Sequence, residues 1–214
     1  AGRISPLTEA FDLPPFDRLQ TADFQPGINE LIARARSEVQ AILDQESAAD
    51  FHNTVEPLEV LWQPLNRATS MLFNLHSAET SDELEKVVEQ IAPELSSFSN
   101  DLLLNHDLFS RVHKVWEDRA KEQLGPQELR LLEKTYRSFR RNGALLTDEE
   151  KEKLRSIDEQ LSIESIQFGQ VVLKDTNDFF LHLNDQQLVG LPTSALENAK
   201  EEARSRGLED GGVV

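Results

Sequence analysis

The sequence of 214 residues predicts an all-α protein, a bundle of long, kinked, antiparallel helices with a small β appendage near the C-terminus. Three observations carry that prediction. Apolar residues recur at spacings of three and four through most of the chain. Residues that start and stop helices bracket those runs. Only one short stretch, Phe179 to Leu183, alternates with a period of two, as a strand does.

The opening "PLTEAFDLPPFDRL" is Pro-rich and irregular, with Leu13, Phe16 and Leu19 free to lie on a core. A first helix should start near Thr21, since Pro26 is tolerated in its first turn. Its stripe is Phe24, Ile28, Leu31, Ala35, Val39 and Ile42. A second should begin at Thr54 as N-cap. It carries Leu58, Leu61, Leu65, Ala68, Leu72 and Leu75, with Trp62 and Phe73 widening the buried face. Ser81 should start a third, followed by acidic residues that suit a helix N-terminus. Its stripe runs Leu84, Val88, Ile91, Leu95, Phe98 and Leu102. Pro64 and Pro93 lie inside these helices and should bend them.

Shorter helices are expected from about Asp107 to Leu124 and from Pro126 to Asn142, the latter closed by Gly143. "TDEE" at Thr147 to Glu150 is a capping box. It opens a long helix with the stripe Leu154, Ile157, Leu161, Phe168 and Val172. After the strand, a last helix should run to about Arg206 and stop at Gly207. No repeat, linker or low-complexity segment interrupts the series, so the chain reads as one helical domain over residues 1–214.

Composition narrows the function classes. Asp and Glu number 39 against 22 Lys and Arg, for a net charge of −17. Such a surface repels phosphate backbones and anionic lipid, so neither nucleic acid nor membrane is an expected partner. There is no cysteine, which excludes disulfides, thiolate metal sites and cysteine nucleophiles. That fits a reducing compartment, and a cytoplasmic location is expected, with a removed leader ahead of Ala1 left open.

Self-contained chemistry is sparse. The glycines are scattered at turns and form no phosphate loop. His113 and Glu117 stand four apart, and His76 and Glu79 three apart, so either pair could face one metal. Neither has the two imidazoles and adjacent glutamate of a specific helical zinc site. Asp148, Glu149 and Glu150 read as helix-start charges, and Trp62, Trp116 and Tyr136 as core. His182 projects beside Phe180, opposite Leu181 and Leu183, as a partly covered structural histidine. No catalytic, cofactor-binding or metal-ligating residue is assigned.

Ordered segments supply what chemistry does not. "LPPFDRL" at Leu13, "FHNTVEPLE" at Phe51, "LFNLHSAETSDEL" at Leu72 and "IAPELSSFSNDLLLNHDLFSRV" at Ile91 come first. "RLLEKTYRSFRRNGALL" at Arg130, "QFGQVVLKDTNDFFLHLND" at Gln167 and "LVGLP" at Leu188 follow. In this order they resemble the N-terminal part of the thimet oligopeptidase and neurolysin family of zinc metallopeptidases. The stretch "RRNGALLTDEEKEKL" resembles the peptidyl-dipeptidase branch more than oligopeptidase A. The chain departs from the family at Val171, where Asn is usual, and near Gly212, where an aromatic residue is usual.

The resemblance implies a parent enzyme that hydrolyses short peptides at zinc, in a channel between two helical halves. The family's His-Glu-x-x-His motif does not occur in these residues, so the chain is expected to be a fragment. It would form one wall and lid, inactive alone, with its own catalytic domain as partner. The strand at Phe179 would then find most of its neighbours beyond Val214, with "GGVV" as the start of one. An edge left open in that way would invite self-association. Phe179, Leu181 and Leu183 could still lie on the helices, and Phe180 would lose its cover. The alternative is a free-standing helical module that binds a peptide or protein.

Overall fold

The computed structural model describes residues 4–208 and 210–214. Among these residues seven α-helices and two short strands follow in order: α1 (Thr21–Leu43), α2 (Glu56–Ala78), α3 (Asp82–Leu103), α4 (His106–Asp118), α5 (Pro126–Arg141), α6 (Asp148–Asp178), β1 (His182–Leu183), α7 (Thr193–Ser205) and β2 (Gly212–Val213). The all-α prediction with a small β appendage holds. The chain divides into two compact units, up to Glu164 and from Ser165 onward. That boundary falls inside α6, where no change of composition could mark it.

In the first unit α1 packs on both α2 and α3, and α4 packs on α5. The stripe of α1 is buried from Phe24 to Ile42 as its spacing requires. Phe24, Ile28, Leu65, Leu72, Ile91 and Phe98 are fully enclosed. Only Glu79–Ser81 separates α2 from α3, so α3 folds back along α2. Ser81 caps α3 as expected, its hydroxyl accepting from the Leu84 N–H at 3.2 Å. Both α2 and α3 run unbroken through Pro64 and Pro93.

The entry to α2 differs from its prediction. A single π-turn, Phe51–Val55, precedes it, and Asp50 rather than Thr54 is the cap. Asp50 and Asn53 exchange hydrogen bonds at 2.8 and 3.0 Å. Thr54 is buried, with its hydroxyl donating to Asn53 Oδ1. Thr54 scores as a cap by residue type, but the Asp-x-x-Asn pair satisfies more orphan donors one turn earlier. Phe73 is exposed instead of widening the core. On α4 the helix ends at Asp118, six residues short of Leu124, in a turn where Lys121 N–H reaches the Asp118 carbonyl.

Gly143 closes α5 with φ +96°, and the Ala144 N–H reaches back to the Phe139 carbonyl. A Cβ there would sit within 3 Å of Leu146 and Leu154. Both the left-handed backbone and the close approach of α6 therefore demand glycine. Thr147 and Glu150 form the predicted capping box at the start of α6.

The second unit contains the rest of α6, α7 and the two-stranded antiparallel sheet. Here α7 packs on β2. His182 pairs with Val213 and Leu183 with Gly212. Leu181 and Val214 extend the ladder with two backbone bonds at 2.9 and 3.1 Å. The partner of β1 among the described residues is therefore the "GGVV" segment.

Candidate functional surfaces

The long helix α6 departs furthest from its sequence reading. Leu154 is half-buried, but Ile157, Leu161, Phe168 and Val172 are exposed, Phe168 to 72%. These positions lie on one face by helical geometry, and Val171 joins them. An amphipathic stripe states that a face wants cover; it does not state that this chain supplies it. The same correction applies to the strand. Phe179 and Leu181 are exposed and do not lie on helices, whereas Phe180 is half-covered beneath the Arg206 guanidinium, 4.7 Å from the ring centre.

The base of α6, up to Glu164, belongs to the first unit and is tied to its helices. Asp101 on α3 accepts from Arg36 on α1 and from Arg155 on α6, each at 2.8 Å. One carboxylate thus ties three helices together. Nothing in the sequence periodicity pairs these residues, because they are 65 and 54 positions apart.

Sequence reading set aside Trp116 and Tyr136 as core, yet both are only half-buried. They stack at 4.9 Å and nearly parallel, with His113 and Phe109 continuing the stack. Arg119 covers Trp116 and Arg140 lies over Tyr136. Trp62 meets Phe98 edge-on. The spacing of Phe109, His113 and Trp116 on one helix carried the signal for the stack.

The paired acids and histidines fall apart as a chemical site. His113 Nε2 stands 3.5 Å from Glu117, and its Nδ1 is buried without a partner. No ion pair joins His76 and Glu79 among the described residues. His182 donates from Nε2 to the Asp210 carbonyl at 2.8 Å, a contact that fastens β1 to the approach of β2. Glu150 is held below the usual carboxylate range, first by the Thr147 backbone N–H and then by its hydroxyl. His52 is raised, first by its hydrogen bond with the Glu56 carboxylate. A zinc site needs three or four ligands at one point. Among the described residues no group of three His, Cys, Asp or Glu could hold a metal ion, so they do not fit that ion. No described helix is long and apolar enough to cross a membrane.

Residues 28–151, more than half of the chain, match the family described as Neurolysin/Thimet oligopeptidase, N-terminal domain. The chain belongs to this family. Within the neurolysin/thimet oligopeptidase N-terminal domain the matched region runs from within α1 to the first turn of α6. Dipeptidyl carboxypeptidase of Salmonella typhimurium is 34% identical over 201 residues, 94% of this chain and 30% of that protein. Its Escherichia coli counterpart is 34% identical over 202 residues, with the same coverage. Oligopeptidase A of Haemophilus influenzae is 28% identical over 206 residues, 96% of this chain and 30% of that protein. The chain spans about 30% of the length of these curated relatives.

The departure at Gly212 has a physical counterpart. A Cβ at that position would meet Ala199 Cβ and Leu188 Cδ1 at 3.0 Å. Leu188, itself buried, fills the space a larger residue would take. Gly211 beside it has φ +70°, and a Cβ there would clash with the Leu183 carbonyl at 2.2 Å.

Proposed function

We propose that this chain is the non-catalytic N-terminal helical domain of a zinc peptidase that hydrolyses short peptides. It forms a wall and lid of the channel that admits the substrate. The carrying observation is the bare apolar face of α6 in a chain whose family is an N-terminal domain. Several large side chains on one helix face are stable in water only at a cost, and a catalytic partner domain would remove it. The higher identity to the dipeptidyl carboxypeptidases, 34% against 28% for oligopeptidase A, supports release of dipeptides as the reaction.

In this reading no residue of the chain touches the reacting bond. Its helices shape the channel and limit substrate size, while the zinc ligands and the water-activating carboxylate come from sequence downstream of Val214. The enzyme works among soluble peptides in the cytoplasm. The test compares the chain of residues 1–214 with the longer product of the parent gene. A blocked tetrapeptide is the substrate, and dipeptide release is followed by mass spectrometry. The longer protein should release dipeptide in a chelator-sensitive manner, and the chain alone should release none. Turnover by the purified chain alone, or a parent gene that stops soon after Val214, overturns the proposal.

A further inference from the structure

Against a net charge of −17, α5 carries an exception. Arg130, Lys134, Arg137 and Arg141 recur at spacings of four, three and four, so they form one cationic line about 16 Å long on an exposed helix face. Arg140 stands beside it over Tyr136. A single carboxylate answers them: Glu133 bonds Arg130 at 2.7 Å and Arg137 on its other oxygen. Both arginines hold Glu133 below the usual carboxylate range, Arg130 first. Among the described residues Lys134 and Arg141 have no partner. Cations in the last turn also suit the helix dipole, which accounts for Arg140 and Arg141 but not for Lys134 in mid-helix.

Lys134 stands between two hollows. One, of about 450 Å³, is framed by Pro126, Arg130 and Leu131. The other, of about 540 Å³, has Leu58, Trp62, Leu103 and Phe139 for its apolar lining, with Thr135 and Ser138 on the α5 side. Glu59 of α2 also lines it, so the cations that attract an anion are those of α5. The arrangement pairs a seat for one bulky apolar side chain with a row of cations beside it.

We propose that this surface of α5 is a docking site for a short acidic peptide that carries a bulky apolar residue. Its apolar side chain enters the Trp62–Phe139 hollow, and its carboxylates lie along Lys134, Arg137 and Arg141. A long polyanion such as nucleic acid is disfavoured by the net charge around the line.

The test uses the chain of residues 1–214 and fluorescein-labelled Glu-Glu-Phe-Glu-Glu, read by anisotropy at low salt. Saturable binding is expected, weakened about tenfold by Lys134→Glu, since the change turns one close attraction into repulsion with partial screening. Lys86→Glu on α3, an exposed residue with the same charge change, should leave it unaltered. Replacing the central Phe of the peptide with Ala, or its Glu residues with Gln, should also weaken binding severalfold. Circular dichroism confirms that both variants keep their helix content. Absence of saturable binding at millimolar peptide overturns the proposal. So does equal loss in the two variants, or equal binding of the Ala peptide, because either result means diffuse attraction rather than a seat. Tighter binding of labelled oligothymidylate overturns it in favour of nucleic acid.

Discussion

Phe168→Ser separates the two roles a bare helix face can have. Phe168 is 72% exposed on the stripe of α6. Serine and phenylalanine have similar helix propensity, so the substitution changes little but apolar area. Full burial of a side chain of this size contributes about 1.5–3 kcal/mol, so the share of Phe168 still open to water amounts to about 1–2 kcal/mol. In the chain of residues 1–214 that area is already wet. Urea unfolding should therefore shift by less than about 0.5 kcal/mol, the usual range for a surface change. In the full-length peptidase proposed above the same substitution should lose about 1–2 kcal/mol from the transition that separates α6 from its cover. Leu161→Ser, at a position 60% exposed, should behave alike on a slightly smaller scale. The reasoning fails if the full-length protein is indifferent to both variants, or if the chain alone loses stability to the same extent.

Other perturbations probe the framework. Asp101→Ala removes the acceptor shared by Arg36 and Arg155 and should cost about 1 kcal/mol by urea unfolding, since partly exposed pairs contribute about 0.2–1 kcal/mol each; an unchanged midpoint would show that the bridge only decorates the surface. Leu132→Ala, at a fully enclosed site facing Phe51, Val55 and Val115, should cost about 2–5 kcal/mol in the same assay. Asp118 is held down to about 2, first by Lys114 and then by Lys121, and Glu133 and Glu150 are lowered as well. Their folded forms release protons more readily than the unfolded chain, so their contribution is present above the ordinary carboxylate range and is lost as pH falls through it toward about 2. Asp118→Asn should flatten part of that acid slope in thermal melts; a slope identical to that of the parent chain would contradict the assignment. The amide protons of Leu181 and Val214 should exchange more slowly than that of Phe180 in hydrogen exchange, and equal rates would mean that the short ladder is not formed in solution.

Local physics made most of the helices legible. Ser81, the Thr147–Glu150 box, Gly143 and Gly207 each satisfy backbone groups within a few residues, so residue type and spacing sufficed. The stripes of α1 and α3 were legible because α1, α2 and α3 cover one another. Where the described residues offer no cover, periodicity misled. The stripe of α6 reads like that of α1 but meets water, because amphipathicity records a demand and not its supplier. The Asp101 bridge joins three helices across more than fifty residues, and no local rule pairs them. Thr54 failed as a cap because Asp50 and Asn53 compete for the same donors, and a scan by residue type does not weigh two caps against each other. The "GGVV" segment was anticipated as a partner for the strand. That it and Leu188 close around Gly212 was not, since that depends on volume in a folded unit.

The charge on α6 bears on what covers it. Between Asp148 and Asp178 the helix has nine acidic and four basic residues beside its apolar stripe. Two copies meeting through this face would bring those carboxylates together, within the roughly 10 Å over which exposed charges still interact at ordinary salt. Apolar burial would have to overcome that repulsion on both partners. A basic rim around an apolar seat meets no such opposition and gains from it. The helix thus resists its own copy and suits a partner of opposite charge. On this argument the surface that receives α6 in the full-length peptidase proposed above is apolar at its centre and rich in Lys and Arg at its margin. Phe168→Ser should weaken the association at any ionic strength, whereas Glu164→Lys should weaken it at low salt and lose most of its effect at high salt. A salt response of the opposite sign would mean that the margin is acidic on both sides and that apolar contact alone holds the helix in place.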